Sequence, residues 1–322
     1  MKFLGESVKN GEFTAAQYAV FRDNRLLTAS FGTFDSESAA GIVNSTQFDL
    51  ASLTKALFTA PLFYRMISEK IISVEDDCGI LLDHPEAGIT VYELLAHKSG
   101  FVNWLPFYEI CGRDLTPGEK KKAVIETVFT SKRHNKSYCY SDLNYILLGF
   151  IAERLLGSPF DKIFEKFKAE ESLCGALTFR PERETPKTAF SELRKVNPTR
   201  EVEDENCFYL GGATGHAGLF GSAQEVAGYL AGLIGKPWFT EVGEPLDFPG
   251  FDRPEGEDSI YGRHAEPEFL AHLGFTGTAF LLDRSRKTVA VLLTNSTYPT
   301  PDRPQRREKL RIIRQTFFES VF

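Results

Sequence analysis

The sequence predicts an α+β fold: one antiparallel sheet built from strands at the two ends of the chain, flanked by helices, with an all-helical domain inserted between them. Three observations predict it. Strand-like stretches broken by turn residues occur near both ends, helical periodicity dominates the middle, and a Gly-free apolar run follows Ala51. This places residues 1–75 and 209–322 in a discontinuous sheet domain and 76–208 in a mainly helical one. The functional site is expected at their interface.

Residues 2–11 read as a short amphipathic helix. Residues 17–21 and 26–31 then flank Asp23-Asn24, a two-residue turn signal that predicts a hairpin. The apolar run 56–67 predicts a buried helix with Asp49 or Ser52 as its cap. Helical patterns follow at Val91–Leu95, 121–129, Asp142–Leu156 and 159–168. Residues 181–208, rich in Pro, Glu and Arg, predict a long crossing loop. The Gly-rich stretch 211–222 lacks both G-x-G-x-x-G and G-K-[ST], so it predicts close backbone packing ahead of a helix at 223–234. Residues 237–268 predict loops with short strands. A second hairpin is expected from 277–282 and 289–293 around 283–287, and Leu310, Ile313, Phe317 and Val321 recur at helical spacing in the closing segment 306–321.

Composition narrows the partners. A net charge of −7 over 322 residues, with lysines and arginines scattered, argues against nucleic acid and for a small-molecule substrate. Glu6 and Lys9 interrupt any apolar core of an export signal, so a cytoplasmic protein is expected. The longest apolar run, 145–152, falls far short of the roughly 20 residues that span a bilayer. The five cysteines, 78, 111, 139, 174 and 207, show no C-x-x-C pairing, and no H-E-x-x-H or clustered His/Asp set occurs, so neither disulfide, metal nor cofactor is expected. Cys139 with His134 or His97 would make a thiol nucleophile, but nothing else in the chain supports one.

Ala51-Ser52-Leu53-Thr54-Lys55 is the stretch that carries chemistry. If the helix starts near Ser52, Lys55 lies one turn on, and its ammonium reaches the Ser52 hydroxyl on the same face. A serine hydroxyl needs such a partner to lose its proton during attack. S-x-x-K alone matches by chance on the order of once in a chain this long, and a capping serine with a surface lysine would explain it. Two further motifs follow in order: Tyr140-Ser141-Asp142 and His272-Leu273-Gly274-Phe275.

In that order and rough spacing the three motifs resemble the class C β-lactamase-like superfamily, which also holds penicillin-binding proteins, D-aminopeptidases and family VIII carboxylesterases. The likeness extends to Leu94-Leu95-Ala96-His97-Lys98-Ser99-Gly100, Asp204-Glu205-Asn206 and the stretch 293–299, and so covers nearly the whole chain. It implies a β-lactamase/transpeptidase-like fold with Ser52 as nucleophile, Lys55 and Tyr140 sharing the general-base role, and His272-Leu273-Gly274 in the place of K-T-G. The backbone N–H groups of Ser52 and Phe275 would form the oxyanion hole. Asp142, Gly274, Trp104 and Asn295 would meet substrate, although core packing also accounts for Trp104 and a strand-end cap for Asn295.

Two departures bear on substrate. Asp142 replaces the Asn of Y-x-N, exchanging an amide that donates for a carboxylate that only accepts. His272 replaces a permanent cation with an imidazole that is mostly neutral near pH 7. Both changes favour an ester or small amide, acylating Ser52, over a β-lactam or a D-amino-acid peptide of the cell wall. A catalytically silent binding protein on the same scaffold is the reading from a different class.

Overall fold

The computed structural model describes all of the chain except residues 86–87, 255, 257–258 and 302–304. Asp23 and Asn24 both adopt positive φ, 51° and 57°. That conformation matches the twist of the flanking strands, so β1 (Ala15–Arg22) folds directly back on β2 (Arg25–Gly32). Two short strands, β3 (Phe48–Asp49) and β4 (Phe220–Gly221), pair apart from this hairpin. Near the C-terminus come β5 (Leu270–Leu273), β6 (Ala279–Asp283) and β7 (Thr288–Thr294). The main sheet runs β2-β1-β7-β6-β5 and is antiparallel throughout, so the two ends of the chain join where Gln17 faces Leu293.

Alternation along the strands sorts the two faces. Ala16, Tyr18, Ala271, Leu281, Ala290 and Leu292 pack with Leu4 and with Ile313 and Phe317 of the helix Arg306–Glu319. Ala15, Ala19, Phe280, Leu282, Val291 and Leu293 face the larger core, which takes in the helices Ala60–Ser68 and Ala223–Leu233. With both faces covered, β7 is buried without interruption. Ser222 caps the helix Ala223–Leu233, accepting from Glu225 N–H while the Glu225 carboxylate accepts from Ser222 N–H. The middle of the chain carries the helices Val91–Leu95, Pro117–Thr130, Asp142–Leu156 and Phe160–Glu170, as expected from their periodicity. No described helix is long and apolar enough to cross a membrane.

Several local expectations fail. Neither Asp49 nor Ser52 caps the apolar helix: Asp49 Oδ1 accepts from Ala51 N–H and closes a turn, and Ser52 Oγ accepts from Lys55 instead. Residues Lys55–Thr59 form a π-helical turn that runs into Ala60–Ser68, a local widening common where a helix serves a site. The crossing loop 181–208 ends in the helix Glu205–Tyr209, capped by Asp204. Over 237–268 the described residues form the helix Pro237–Gly243 and loops, with one isolated bridge from Asp252 to Ala271. Residues 255, 257 and 258 of that stretch lie outside the described residues. β5 was not expected, and Gly277 and Thr278 belong to the turn between β5 and β6 rather than to a strand.

Candidate active site

Pairing of β3 with β4, extended by Leu50 N–H donating to Leu219 O, delivers the chain to a tight turn. Ala51 sits there at φ 48°, a conformation costly for a residue with a Cβ and found where surrounding structure imposes it. Ser52 follows immediately. Thr54 Oγ1 donates to Ala51 O, and Leu219 N–H donates to Thr54 Oγ1, so the turn is tied from both sides.

Lys55 is fully buried, and its ammonium donates to Ser52 Oγ at 2.8 Å and to His216 O at 3.2 Å. Asp142 Oδ1 lies 2.7 Å from the same nitrogen. Tyr140 is within hydrogen-bond reach of both Lys55 and Ser52, its ring centroid 4.9 Å from Lys55 Nζ. Burial lowers the Lys55 ammonium, but the Asp142 carboxylate and Tyr140 outweigh it and hold it above the ordinary lysine range. Burial also raises the Tyr140 phenol, Asp142 adds to this, and Lys55 only partly opposes it. Lys55 therefore does not hold Tyr140 as a phenolate, because the carboxylate at 142 already neutralises the ammonium. Asp142 is the counterion of Lys55 and also lines the cavity over Ser52.

The third motif lies on β5 and the turn after it. Thr276 Oγ1 donates to Asp49 O at 2.9 Å and Thr278 Oγ1 to Leu50 O at 3.2 Å, so the β5–β6 turn is fastened directly onto the turn that carries Ser52. A Cβ at Gly274 would overlap Thr278 Oγ1 and come within 2.8 Å of Leu50 O. Among the described residues the backbone N–H groups of Ser52 and Phe275 make no hydrogen bond. His272 is buried, and its Nδ1 lies 2.8 Å from Leu273 O, so Nδ1 carries the proton and Nε2 keeps a lone pair. Burial, reinforced by Lys55, lowers its pKa and keeps the ring neutral. Its centroid is 6.2 Å from that of Tyr140.

A cavity of about 830 Å³ opens over Ser52, lined also by Tyr140, Asp142, His272, Gly274 and Phe275. Of the aromatic cluster after Gly100, Trp104 and Tyr108 reach this cavity whereas Phe101 and Phe107 are buried in the core. Asn295 does not reach it. Its Oδ1 accepts from Thr14 and Ala15 N–H, and its Nδ2 donates to Thr14 Oγ1 and Lys187 O, so the side chain is spent on joining β7 to its neighbours. The substrate role expected of Asn295 is withdrawn. Cys139 Sγ lies 4.0 Å from Tyr140 O, Cys139 N–H donates to His97 O at 2.9 Å, and among the described residues no hydrogen bond joins the thiol to either imidazole.

Sequence reasoning missed a supporting layer. His97 Nδ1 accepts from Ser141 N–H, and its ring lies against Tyr140 at 4.6 Å between centroids. His216 bonds Asp204 Oδ1 through Nε2 and Thr214 Oγ1 through Nδ1, which holds its carbonyl on Lys55. The glycines before it are needed for that approach: a Cβ at Gly215 would overlap Tyr145 O. Glu203 is pushed up to about 7, chiefly by burial, and Asp49, whose Oδ2 accepts from Glu203 N–H, to about 6. The stretches Asp204-Glu205-Asn206 and Leu94–Gly100 were the visible signals for this layer. Among the described residues no group of three or more His, Cys, Asp or Glu side chains converges to hold a metal ion.

A nucleophile turn, a buried lysine, a tyrosine and two unpaired N–H groups can perform acyl transfer, and known proteins carry the same arrangement of elements. The family model described as Beta-lactamase matches residues 2–315. An N-acetylmuramyl-L-alanine amidase of Bacillus subtilis is 25% identical over 89% of this chain and 78% of its own length. The solved structure of EstCE1, described as a hydrolase with promiscuous acyltransferase activity, superposes with a TM-score of 0.72 at 17% identity, covering 96% of each chain. A beta-lactamase/D-alanine carboxypeptidase from Pseudomonas syringae gives a TM-score of 0.69 at 16% identity over 96% of this chain and 95% of its own.

Proposed function

Because the chain belongs to the beta-lactamase family, we propose that it is a serine hydrolase that forms an acyl-enzyme on Ser52 and acts on an ester or small amide. The observation that carries this is the 2.8 Å contact of Lys55 Nζ with Ser52 Oγ, beside the Ser52 and Phe275 N–H groups that make no hydrogen bond among the described residues. In the first step Ser52 Oγ attacks the carbonyl carbon while its proton passes into the hydrogen-bonded set around Lys55 and Tyr140. The oxyanion that forms accepts from Ser52 and Phe275 N–H, donors typically worth a few kcal/mol each. Collapse expels the leaving group, which takes a proton from the same set. Water then repeats the sequence on the acyl ester.

The cavity's charge supports an uncharged acyl donor. Among the described residues, Glu109, Glu192, Asp204, Glu205 and Asp252 line it against the guanidinium of Arg113, and His272 is neutral where K-T-G would supply a cation. A substrate carboxylate such as a β-lactam presents would enter a field of its own sign. Trp104 and Tyr108 offer apolar surface to the acyl chain. We take the sheet part, 1–75 with 209–322, and the helical part, 76–208, as the two walls of the cavity.

Treatment with a fluorophosphonate probe followed by peptide mass spectrometry tests the assignment. The adduct is expected on the peptide that contains Ser52. An adduct on Ser141 or Cys139, or none, overturns it. A panel of short-chain esters, D-peptides and a chromogenic cephalosporin then reads the substrate class.

A further inference from the structure

On the reading of Ser52 as nucleophile, we propose that Asp142 is the final acceptor of the serine proton, acting through Lys55. The resting site has no free base beside Ser52. Lys55 Nζ faces Ser52 Oγ at 2.8 Å, Asp142 Oδ1 at 2.7 Å and His216 O at 3.2 Å, so each of its three hydrogens has an acceptor and no lone pair remains. Tyr140 holds its phenol proton under the combined effect of burial and Asp142. Asp142 can relieve this. Its Oδ1 is buried and has no partner besides the 2.7 Å contact with Lys55 Nζ. It is also the first residue of the helix Asp142–Leu156, close to the Lys55 ammonium.

The step balances. One Nζ proton passes to Asp142 Oδ1, leaving a neutral amine and a neutral acid. Rotation of the amine by about 120° about Cε–Nζ, between staggered positions, turns its lone pair toward Ser52. As Ser52 Oγ bonds to the substrate carbonyl carbon, the C=O pair moves to oxygen and the serine proton moves to Nζ. The ion pair of the resting site has then become an ammonium and an oxyanion, with no change in total charge. Expulsion of the leaving group takes a proton from Lys55, which recovers one from Asp142. Substrate covering the fully buried Lys55 favours the neutral amine–acid pair over the ion pair, because removing water penalises charges most. An amide at position 142 would hold the ammonium but has no affinity for its proton.

The profile of kcat/KM against pH for p-nitrophenyl butyrate separates this relay from a simple anchoring role. The other titratable groups around the pair are Tyr140, Tyr145, His97, His272, Asp204 and Asp252, and burial keeps both imidazoles neutral. With the relay, the acid limb of the wild type lies in the carboxylate range. Asp142→Asn then moves it up toward the lysine range, with a loss at pH 7 of about 10²–10³-fold, while Asp142→Glu keeps it low. If Asp142 only anchors the ammonium, removing the carboxylate lets burial lower the lysine, and the limb moves down; that result overturns the proposal. The wild-type limb needs no variant: an acid limb in the lysine range rather than the carboxylate range also overturns the proposal. Wild type that fails to label at Ser52 would sink the nucleophile reading itself. Labelled wild type with an unmoved limb would sink the relay alone.

Discussion

Replacing Glu203 by glutamine should change how stability depends on pH, by an amount set by the burial of one carboxyl. Thr297 Oγ1 donates to this carboxyl at 2.6 Å, and Asp49 lies next to it, its Oδ2 accepting from the Glu203 amide at 2.6 Å. Desolvation outweighs the hydrogen bonds and pushes Glu203 from 4.5 up to about 7. The folded state therefore keeps a proton that the unfolded chain releases at lower pH. Stability from this group is complete below about 4.5 and is lost as pH rises through about 7. At about 1.4 kcal/mol per pH unit, full ionisation costs at most about 3 kcal/mol. Water in the cavity on one side of the carboxyl reduces this to about 2 kcal/mol. Urea unfolding at pH 5, 6, 7 and 8 should show Glu203→Gln within about 0.5 kcal/mol of wild type at pH 5 and about 2 kcal/mol more stable at pH 8. The difference between the two proteins isolates Glu203 from every other carboxylate. Curves that run parallel across the range would refute the argument from burial.

Lys55→Ala and Tyr140→Phe should each lower kcat/KM by about 10²-fold or more, while the double variant falls little further, since both serve one proton transfer. Steady-state kinetics of all four proteins checks this, and fully multiplicative losses would assign the two residues to separate steps. With an acid-lined cavity and a neutral His272, p-nitrophenyl butyrate should exceed a chromogenic cephalosporin in kcat/KM by about 10²-fold, equivalent to about 2.7 kcal/mol of unfavourable carboxylate placement. A preference for the cephalosporin would contradict the electrostatic account. Gly274→Ala should lower stability by about 1–3 kcal/mol and activity by about 10²-fold, because the added methyl has no room between Thr278 and Leu50 and must displace the Phe275 N–H. Thermal melts and ester assays together test it, and an active, undestabilised variant would refute it.

What the sequence determined by itself is what near neighbours decide. Ser52 and Lys55 lie three residues apart, so their contact follows from the helical start of one short segment. The β1–β2 turn rests on two adjacent residues that tolerate positive φ, and the helix Asp142–Leu156 on an unbroken apolar pattern ended by Gly157 at φ 63°. β5 escaped notice because Leu-Ala-His-Leu is four residues long, too short for any period to register. The tertiary structure alone decided the rest. Whether Asn295 meets substrate or ties β7 to Thr14 depends on partners 281 residues away. The carbonyl on Lys55 comes from His216, 161 residues on. Asp142, read from sequence as an altered substrate contact, became the counterion of Lys55 once the fold set their separation. A polar side chain shows in sequence what it can donate or accept, but its charge state and role depend on which groups burial leaves beside it, and long-range packing chooses those.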